Sequence, residues 1–329
     1  MIRFIARRLL TAVLLAFLVV SATFVVLHAT PGDPTNLFEN PRLSRAQQER
    51  IREIYGLDQS LPRQYLDWLE AVVLHADFGT SFSHREPVMT VLGEALPNTL
   101  ILGLAALLIE FGLGVPIGVL AARWAGTLKD QVLRILSLLL YSLPIFWVGL
   151  MAILLFAYRW PLLPAGNMHG IAAIGANGWW RAFDLVRHLV LPASILGISA
   201  AGAIARFVRN SLLDTLAQPF IFAARARGLS EARIMWVHAL RSALGPVAQL
   251  IGLSLPFLLS GALVIEVVFS WPGVGRLVYG AVLSRDYPLL MASTAIGGVM
   301  VVVGNLAADL IHAWLDPRVR KELVNATGS

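Results

Sequence analysis

Four ionisable residues interrupt long apolar runs of this chain: Glu110, Glu266, Asp309 and His312. A charge at membrane depth is costly, so such groups pair with one another, meet water, or line the route of an ion or polar solute. Glu110 stands nearest the middle of its run and is the best candidate for a buried partner or a contact along a solute path. Glu266 stands about one turn from the end of its run, and Asp309 and His312 are three apart, on one helical face. Structural pairing or water access near an interface also explains these three. A different chemistry is concentrated in Pro219 to Pro246, PFIFAARARGLSEARIMWVHALRSALGP. Arg225, Arg227, Arg233 and Arg241 keep this stretch out of a bilayer, and a basic helical segment held against a membrane is suited to gripping a partner. An ordinary helical loop between two spans is the plainer alternative.

The local grammar of that stretch predicts two short helices joined by Gly228-Leu229-Ser230. Ala223, Ala224 and Ala226 are strong helix formers. Gly228 suits the left-handed position just past a helix end. Ser230 caps a second helix with Glu231 in its first turn, and Gly245-Pro246 stops it. Other chemistries lack their parts. There is no cysteine, hence no disulfide, cysteine zinc site or thiol nucleophile. The seven histidines are scattered without a His-x-x-x-His pair, and neither a Walker A sequence nor Gly-x-Ser-x-Gly is present. Asp77-Phe78-Gly79 spells a kinase magnesium motif but has none of the parts that motif works with.

The elements that must hold these residues are membrane spans. The chain is 57% hydrophobic and only 14% charged, with a mean hydropathy of +0.71. Soluble domains carry about 25% charged residues, so this chain has too little polar surface to face water all round. A formal charge of +6 invites nucleic acid as a partner, but the arginines sit between apolar runs rather than along one soluble face. We therefore expect membrane lipid and no nucleic acid. Spans are predicted at about 9–29, 97–122, 132–158 with Pro144 in its middle, 185–205 with Pro192 near its start, 247–269 and 289–314. The first is longer than the apolar core of a signal peptide and is expected to be retained. The small residues Ser199 to Ala203 would let helices approach closely.

Between the first two spans, residues 31–96 are polar enough for an outer helical insertion. A charged helix is predicted over Arg42 to Tyr55, and an amphipathic one over Leu61 to Leu74 with Tyr65, Trp68, Leu69 and Val72 packing against the spans. Trp160, Trp179 and Trp180 suit an interfacial aromatic belt. Arg3, Arg7, Arg8, Arg123, Lys129, Arg134, Arg206, Arg209, the arginines after Pro219, and Arg318, Arg320 and Lys321 then share one side. Short loops on the other side carry only Arg159, Arg181, Arg187, Arg276 and Arg285. By the positive-inside rule both termini are cytoplasmic. The expected organisation is a tail and first span at 1–30, an insertion at 31–96, a core at 97–315 with a cytoplasmic segment at 206–246, and a tail at 316–329. No internal repeat is seen, which weakens an inverted-repeat transporter.

Ordered blocks along the chain carry a resemblance. They are Pro31-Gly32-Asp33-Pro34, Tyr55-Gly56-Leu57-Asp58 with Gln64-Tyr65, Asp77 to Ser81 (DFGTS), Pro97 to Leu100 (PNTL), Pro144 to Trp147 (PIFW) and His188 to Pro192 (HLVLP). The most specific are Ala224 to Ser230 (ARARGLS) with His238 to Leu244 (HALRSAL), then Glu266 to Arg276 (EVVFSWPGVGR), Arg285 to Pro288 (RDYP) and Leu315 to Arg318 (LDPR). Together they resemble the inner-membrane permeases of bacterial ABC importers, in the dipeptide, oligopeptide and nickel permease family.

The resemblance implies an all-α polytopic protein of the type I ABC importer permease fold, with about six spans, in the bacterial inner membrane. It implies pairing with a second, related permease, docking on two ATPase subunits, and delivery of solute by a periplasmic or lipid-anchored binding protein. No catalytic residue, metal or cofactor is expected in this chain; ATP and magnesium would act on the ATPase subunits. Docking would use a coupling helix, in which the wider importer class carries Glu-Ala-Ala, three residues, then Gly. Those positions are here Phe222, Ala223, Ala224 and Gly228, so Phe222 replaces the glutamate, and Arg241 stands where that class often has proline. Arg225, Arg227, Leu229 and Ser230 complete the expected contact segment, and Glu110, Glu266 and Asp309 remain candidates for the path or for buried polar partners. The rival reading is a stand-alone secondary transporter or channel that uses Glu110 or Asp309 for ions. An intramembrane enzyme would need paired catalytic groups that the spans lack. The cargo, whether dipeptide, longer peptide, glutathione, metal chelate or sugar, is not written in the sequence.

Overall fold

The computed structural model describes residues 2–29, 58–173, 175–243, 247, 250 and 262–315, with side chains from residue 10 in the first helix, except 12, and to residue 306 in the last. In chain order the helices are α1 (Ile2–Ala29), α2 (Leu61–His75), α3 (Val88–Arg123), α4 (Leu128–Ser142), α5 (Ile145–Ile153), α6 (Gly178–Leu216), α7 (Pro219–Ala226), α8 (Glu231–Arg233), α9 (Val274–Ser284) and α10 (Tyr287–Leu315). Wide π-helical turns extend α5 over Leu154–Arg159 and α8 over Ile234–Ala239, and a further helical stretch covers 262–268. Among the described residues the only β pairing is a single bridge between Thr80 and Pro87.

α3 and α6 form the central pair, and small residues set their distance. A Cβ added to Gly118 would lie 2.6 Å from the Ala205 carbonyl oxygen, and one added to Gly114 would lie 2.7 Å from Ile204 Cβ. This is close backbone approach through a small-x-x-x-small ridge, which serves helices in lipid because dispersion rather than water expulsion holds them. α4 packs on an adjacent side of α6, where a Cβ on Gly202 would lie 2.5 Å from the Ser137 carbonyl oxygen. α1 lies along α10, with Val20 and Phe24 buried against Met291. α2 joins this cluster through Tyr65 and Trp68, as its aromatic stripe predicts, and Tyr65 shares a hydrogen bond of 2.6 Å with Ser21 of α1.

Three described helices, α3, α6 and residues 287–306 of α10, are long and apolar enough to cross a membrane; the bent pair α4–α5 makes a fourth if it counts as one span. The expected fifth span lies mostly outside the described residues, as do the helix expected over Arg42 to Tyr55, the stop at Gly245-Pro246 and the tail from Asp316. Two spans differ from expectation in extent. α3 begins at Val88, ahead of Pro97, which it carries inside it together with Pro116. α6 runs for 39 residues, beyond both ends of the expected 185–205.

The third expected span differs in kind. It is two helices that meet at 92°, not one kinked helix. Pro144 offers no N–H and drives the preceding residue out of helical geometry. Leu143 accordingly sits at φ −72, ψ 135, and the chain restarts with Pro144 as the cap of α5.

Candidate functional site

The stretch from Pro219 folds as helix–glycine–helix. α7 opens with Pro219 at its first position, where a missing N–H costs nothing. It closes with a two-bond motif: Gly228 N–H donates to the Arg225 carbonyl (2.9 Å) and Leu229 N–H to the Ala224 carbonyl (3.3 Å). That closure needs a left-handed residue, and Gly228 has φ +77. Ser230 Oγ then accepts from Arg233 N–H at 3.4 Å and starts α8. The wide turn that follows has no forecast in the residues themselves.

The two faces of this element are chemically different. Ile221 and Ala224, one turn apart, are buried with Ile234, Met235 and Ala239. They join Val119 and Ala122 at the end of α3 and Val208 and Leu212 near the end of α6. The element is therefore packed onto the ends of the central pair as one body. The other face is open: Phe222 is 59% exposed, and Phe220, Trp236, Val237, Ala223, Arg227, Gly228 and Ser230 are also exposed, while Leu229 is half-buried. Arg225 reaches over the glycine turn to Glu231, with Nε–Oε1 at 2.8 Å and Nη2–Oε2 at 3.2 Å, and its guanidinium lies 6.0 Å from the Phe222 ring centre. The hydrogen bond from Arg225 holds the Glu231 carboxyl below the usual carboxylate range.

The acidic candidates sit in three different settings. Glu110 is buried on α3, between Ala106 and Gly114 on the ridge that faces α6. Asp309 lies on α10 beyond the described side chains, as does His312. Glu266 is fully buried in a knot near the end of its run, where Thr99 Oγ1 donates to Oε1 (2.7 Å) and Arg276 N–H to Oε2 (3.0 Å). Thr99 Oγ1 in turn accepts from Val274 N–H at 2.8 Å. Trp271 Nε1 donates to the Asn98 carbonyl at 2.9 Å, and Asn98 Nδ2 to the Pro272 carbonyl at 2.8 Å. The Pro97 to Leu100 block thus clasps the Glu266 to Arg276 block across about 170 residues of chain.

Other polar knots were not picked out from the sequence. Asp286 is fully buried and its Oδ2 accepts from Ser81 Oγ (2.5 Å), Ser83 Oγ (2.6 Å) and Ser83 N–H (2.9 Å). Asp77, from the kinase-like triplet beside it, accepts from Gly79 N–H at 2.8 Å and simply shapes the turn. Asp184 accepts from Gly170 N–H at 3.0 Å and faces His169 Nδ1 at 3.1 Å. Asp130 and Arg209 form a two-pronged pair between α4 and α6. The blocks around Ser81 and Asp286 were visible, but their meeting was not, because nothing local pairs residues 205 apart.

Comparison with known proteins agrees with this architecture. Residues 114–321 match the family described as "Binding-protein-dependent transport system inner membrane component", and residues 1–103 match the N-terminal family described as "Binding-prot-dependent transport system membrane comp, N-term". The chain is 37% identical over 320 residues to the oligopeptide transport system permease protein AppB of Bacillus subtilis, covering 97% of this chain and 99% of that one. It is 35% identical over 337 residues to the dipeptide transport system permease protein DppB of Escherichia coli K12, again covering 97% and 99%. A solved structure of the MetNI methionine ABC transporter, inward facing, shares the fold with a TM-score of 0.55 at 19% identity, over 69% of this chain and 97% of that one. A broken span and a two-faced segment packed on the ends of the central helices thus belong to a multi-pass membrane protein of known kind: the chain is a member of the family of inner-membrane permease components of binding-protein-dependent transport systems.

Proposed function

We propose that this chain forms half of the translocation path of an ATP-driven importer of small peptides, with a related permease as the other half. The relatives named above are peptide permeases along nearly their whole length, which supports a peptide cargo. Two ATPase subunits carry ATP and magnesium, and a binding protein delivers solute to the outer mouth. Both chain termini lie on the cytoplasmic side, with residues 31–96 as the outer insertion and 206–246 as the coupling segment. The Pro219 to Ser230 element carries this reading. Its inner face is fused to the ends of α3 and α6, and its outer face presents Phe222, Ala223, Arg225, Arg227, Gly228 and Ser230 to a partner. Nucleotide can bias the spans only by binding their alternative packings unequally, and a rigid element joined to them is the means of doing so. Phe222 then offers an apolar contact where the wider class places a carboxylate, so the ATPase surface beneath it should be an apolar socket. Glu110, on the ridge between the central helices, is the acidic group we assign to the path, and Asp309 is retained as a second candidate for it.

The test is Gly228→Trp. Beyond its own residue and chain neighbours, nothing lies within 4 Å of a Cβ at Gly228, so the side chain would project outward from a strained backbone. The expected result is normal membrane insertion with loss of ATPase subunits on purification and loss of uptake. Full ATPase retention with normal uptake would refute the coupling assignment. Uptake that persists without the ATPases and collapses with the proton gradient would instead favour an ion-coupled carrier. Stimulation of ATP hydrolysis by the binding protein, scanned over dipeptides, longer peptides, glutathione, metal chelates and sugars, identifies the cargo.

A further inference from the structure

The pair between Asp130 and Arg209 is the most deeply buried ion pair among the described residues, with side chains 1% and 15% exposed. Arg209 Nε meets Asp130 Oδ1 at 2.8 Å and Nη2 meets Oδ2 at 2.7 Å. Gly126 N–H, in the turn between α3 and α4, adds a third donor at 3.1 Å, and Arg134 Nε stands 3.6 Å away. A fork of this kind fixes orientation as well as distance.

Its location gives it a use. Arg209 follows Val208, which is fully buried with Leu212, Ile221 and Ala224 in the body that carries the coupling segment. Asp130 lies in the first turn of α4. Seven residues further along α4, Ser137 meets Gly202, which is seven residues back along α6. The two helices are thus antiparallel and joined at two points about two turns apart. The Ser137–Gly202 contact is close packing of backbone on backbone and involves no charged group. The Asp130–Arg209 fork cannot slide without stranding two charges in a buried site. At its other end α4 runs into the break at Leu143-Pro144.

Resting on the coupling reading above, we propose that Asp130 and Arg209 are positioning residues. They make α4 travel with the coupling body, so that movement imposed on that body is delivered to the break at Pro144. The pair takes no part in binding solute or nucleotide.

The experiment uses the reconstituted complex with cysteine-free partner subunits. Because this chain has no cysteine, Leu128→Cys and Asp214→Cys, both exposed, supply its only thiols for spin labels. Distances are compared between the nucleotide-free and vanadate-trapped states. With the Asp130–Arg209 pair intact, the label distance should shift by less than about 2 Å, within the range of a helix adjusting at an interface. In the apolar replacement Asp130→Leu/Arg209→Met, the distance should change or broaden beyond that, and ATP consumed per solute imported should rise at least about fivefold, the low end of a coupling effect. A larger shift with the pair intact overturns the proposal, whatever the fate of the double variant. So does an unchanged ratio of transport to hydrolysis in the double variant. The coupling reading fails by a different result, full ATPase retention in Gly228→Trp, so the two failures are told apart.

Discussion

The block around Glu266 and the block around Gly228 are equally prominent in the sequence and opposite in structure. In the first, Glu266, Trp271 and Thr99 turn inward, and each polar atom described above finds a partner. In the second, the small and apolar Ile221 and Ala224 turn inward, while Phe222 and the arginines turn out. A recurring motif therefore has two quite different physical origins. One is a site where buried polar groups must satisfy each other, and the other is a site with a buried apolar face and an exposed one, which we assign to a partner. Hydrogen-bond satisfaction tells them apart where residue identity does not.

The contrast can be broken at its strongest point by Glu266→Ala. This strands the Thr99 hydroxyl and the Arg276 N–H in a buried site, at ~1–3 kcal/mol for each unsatisfied donor. The expected result is a large fall in the thermal midpoint of the detergent-solubilised protein, with Glu266→Gln recovering only part of it, because its amide keeps one acceptor oxygen for two donors. An unchanged midpoint for Glu266→Ala would show that the knot is not what holds these helix ends together. Phe222→Ala should behave in the reverse way. Its ring is 59% exposed, so stability should change by no more than about 0.5 kcal/mol, as for other surface changes, and the midpoint should barely move. ATPase retention should weaken instead; equal retention would sharpen the search toward Phe220 and Trp236. The smallest effect belongs to the Arg225–Glu231 pair. Because Arg225 depresses the Glu231 pKa, the pair contributes in full above the ordinary value of 4.5, and its contribution is lost as pH falls through the depressed value. Both side chains are well exposed, so Glu231→Gln should change stability little and remove only that acid-limb dependence in a pH series of the thermal midpoint.

What the sequence made legible was local. The aromatic stripe of α2, the left-handed Gly228 and the Ser230 cap each follow from a few neighbouring residues, and each stands where expected. Pro144 was legible as a disruption but its angle was not, because the direction of the restart depends on what α5 packs against. The pairings of Asp130 with Arg209, Thr99 with Glu266, and Ser81 with Asp286 join segments 79, 167 and 205 residues apart. Composition and periodicity report how buried a residue should be, not which distant group it will meet. Two of these three pairings join blocks already singled out, so what was missing was the register between helices.

The break at Pro144 also has an electrical consequence. An unbroken helix cancels its peptide dipoles everywhere except at its two ends. Here the carbonyl end of α4 and the amide end of α5 are brought together, 92° apart, within one apolar stretch. Each end carries roughly half an elementary charge, negative on α4 and positive on α5. The fold thereby places an oriented dipole between helices in a region whose side chains supply no formal charge from Tyr141 to Tyr158. The direction of that field is set by the 92° angle at Pro144, so the geometry of this break is also an electrostatic setting.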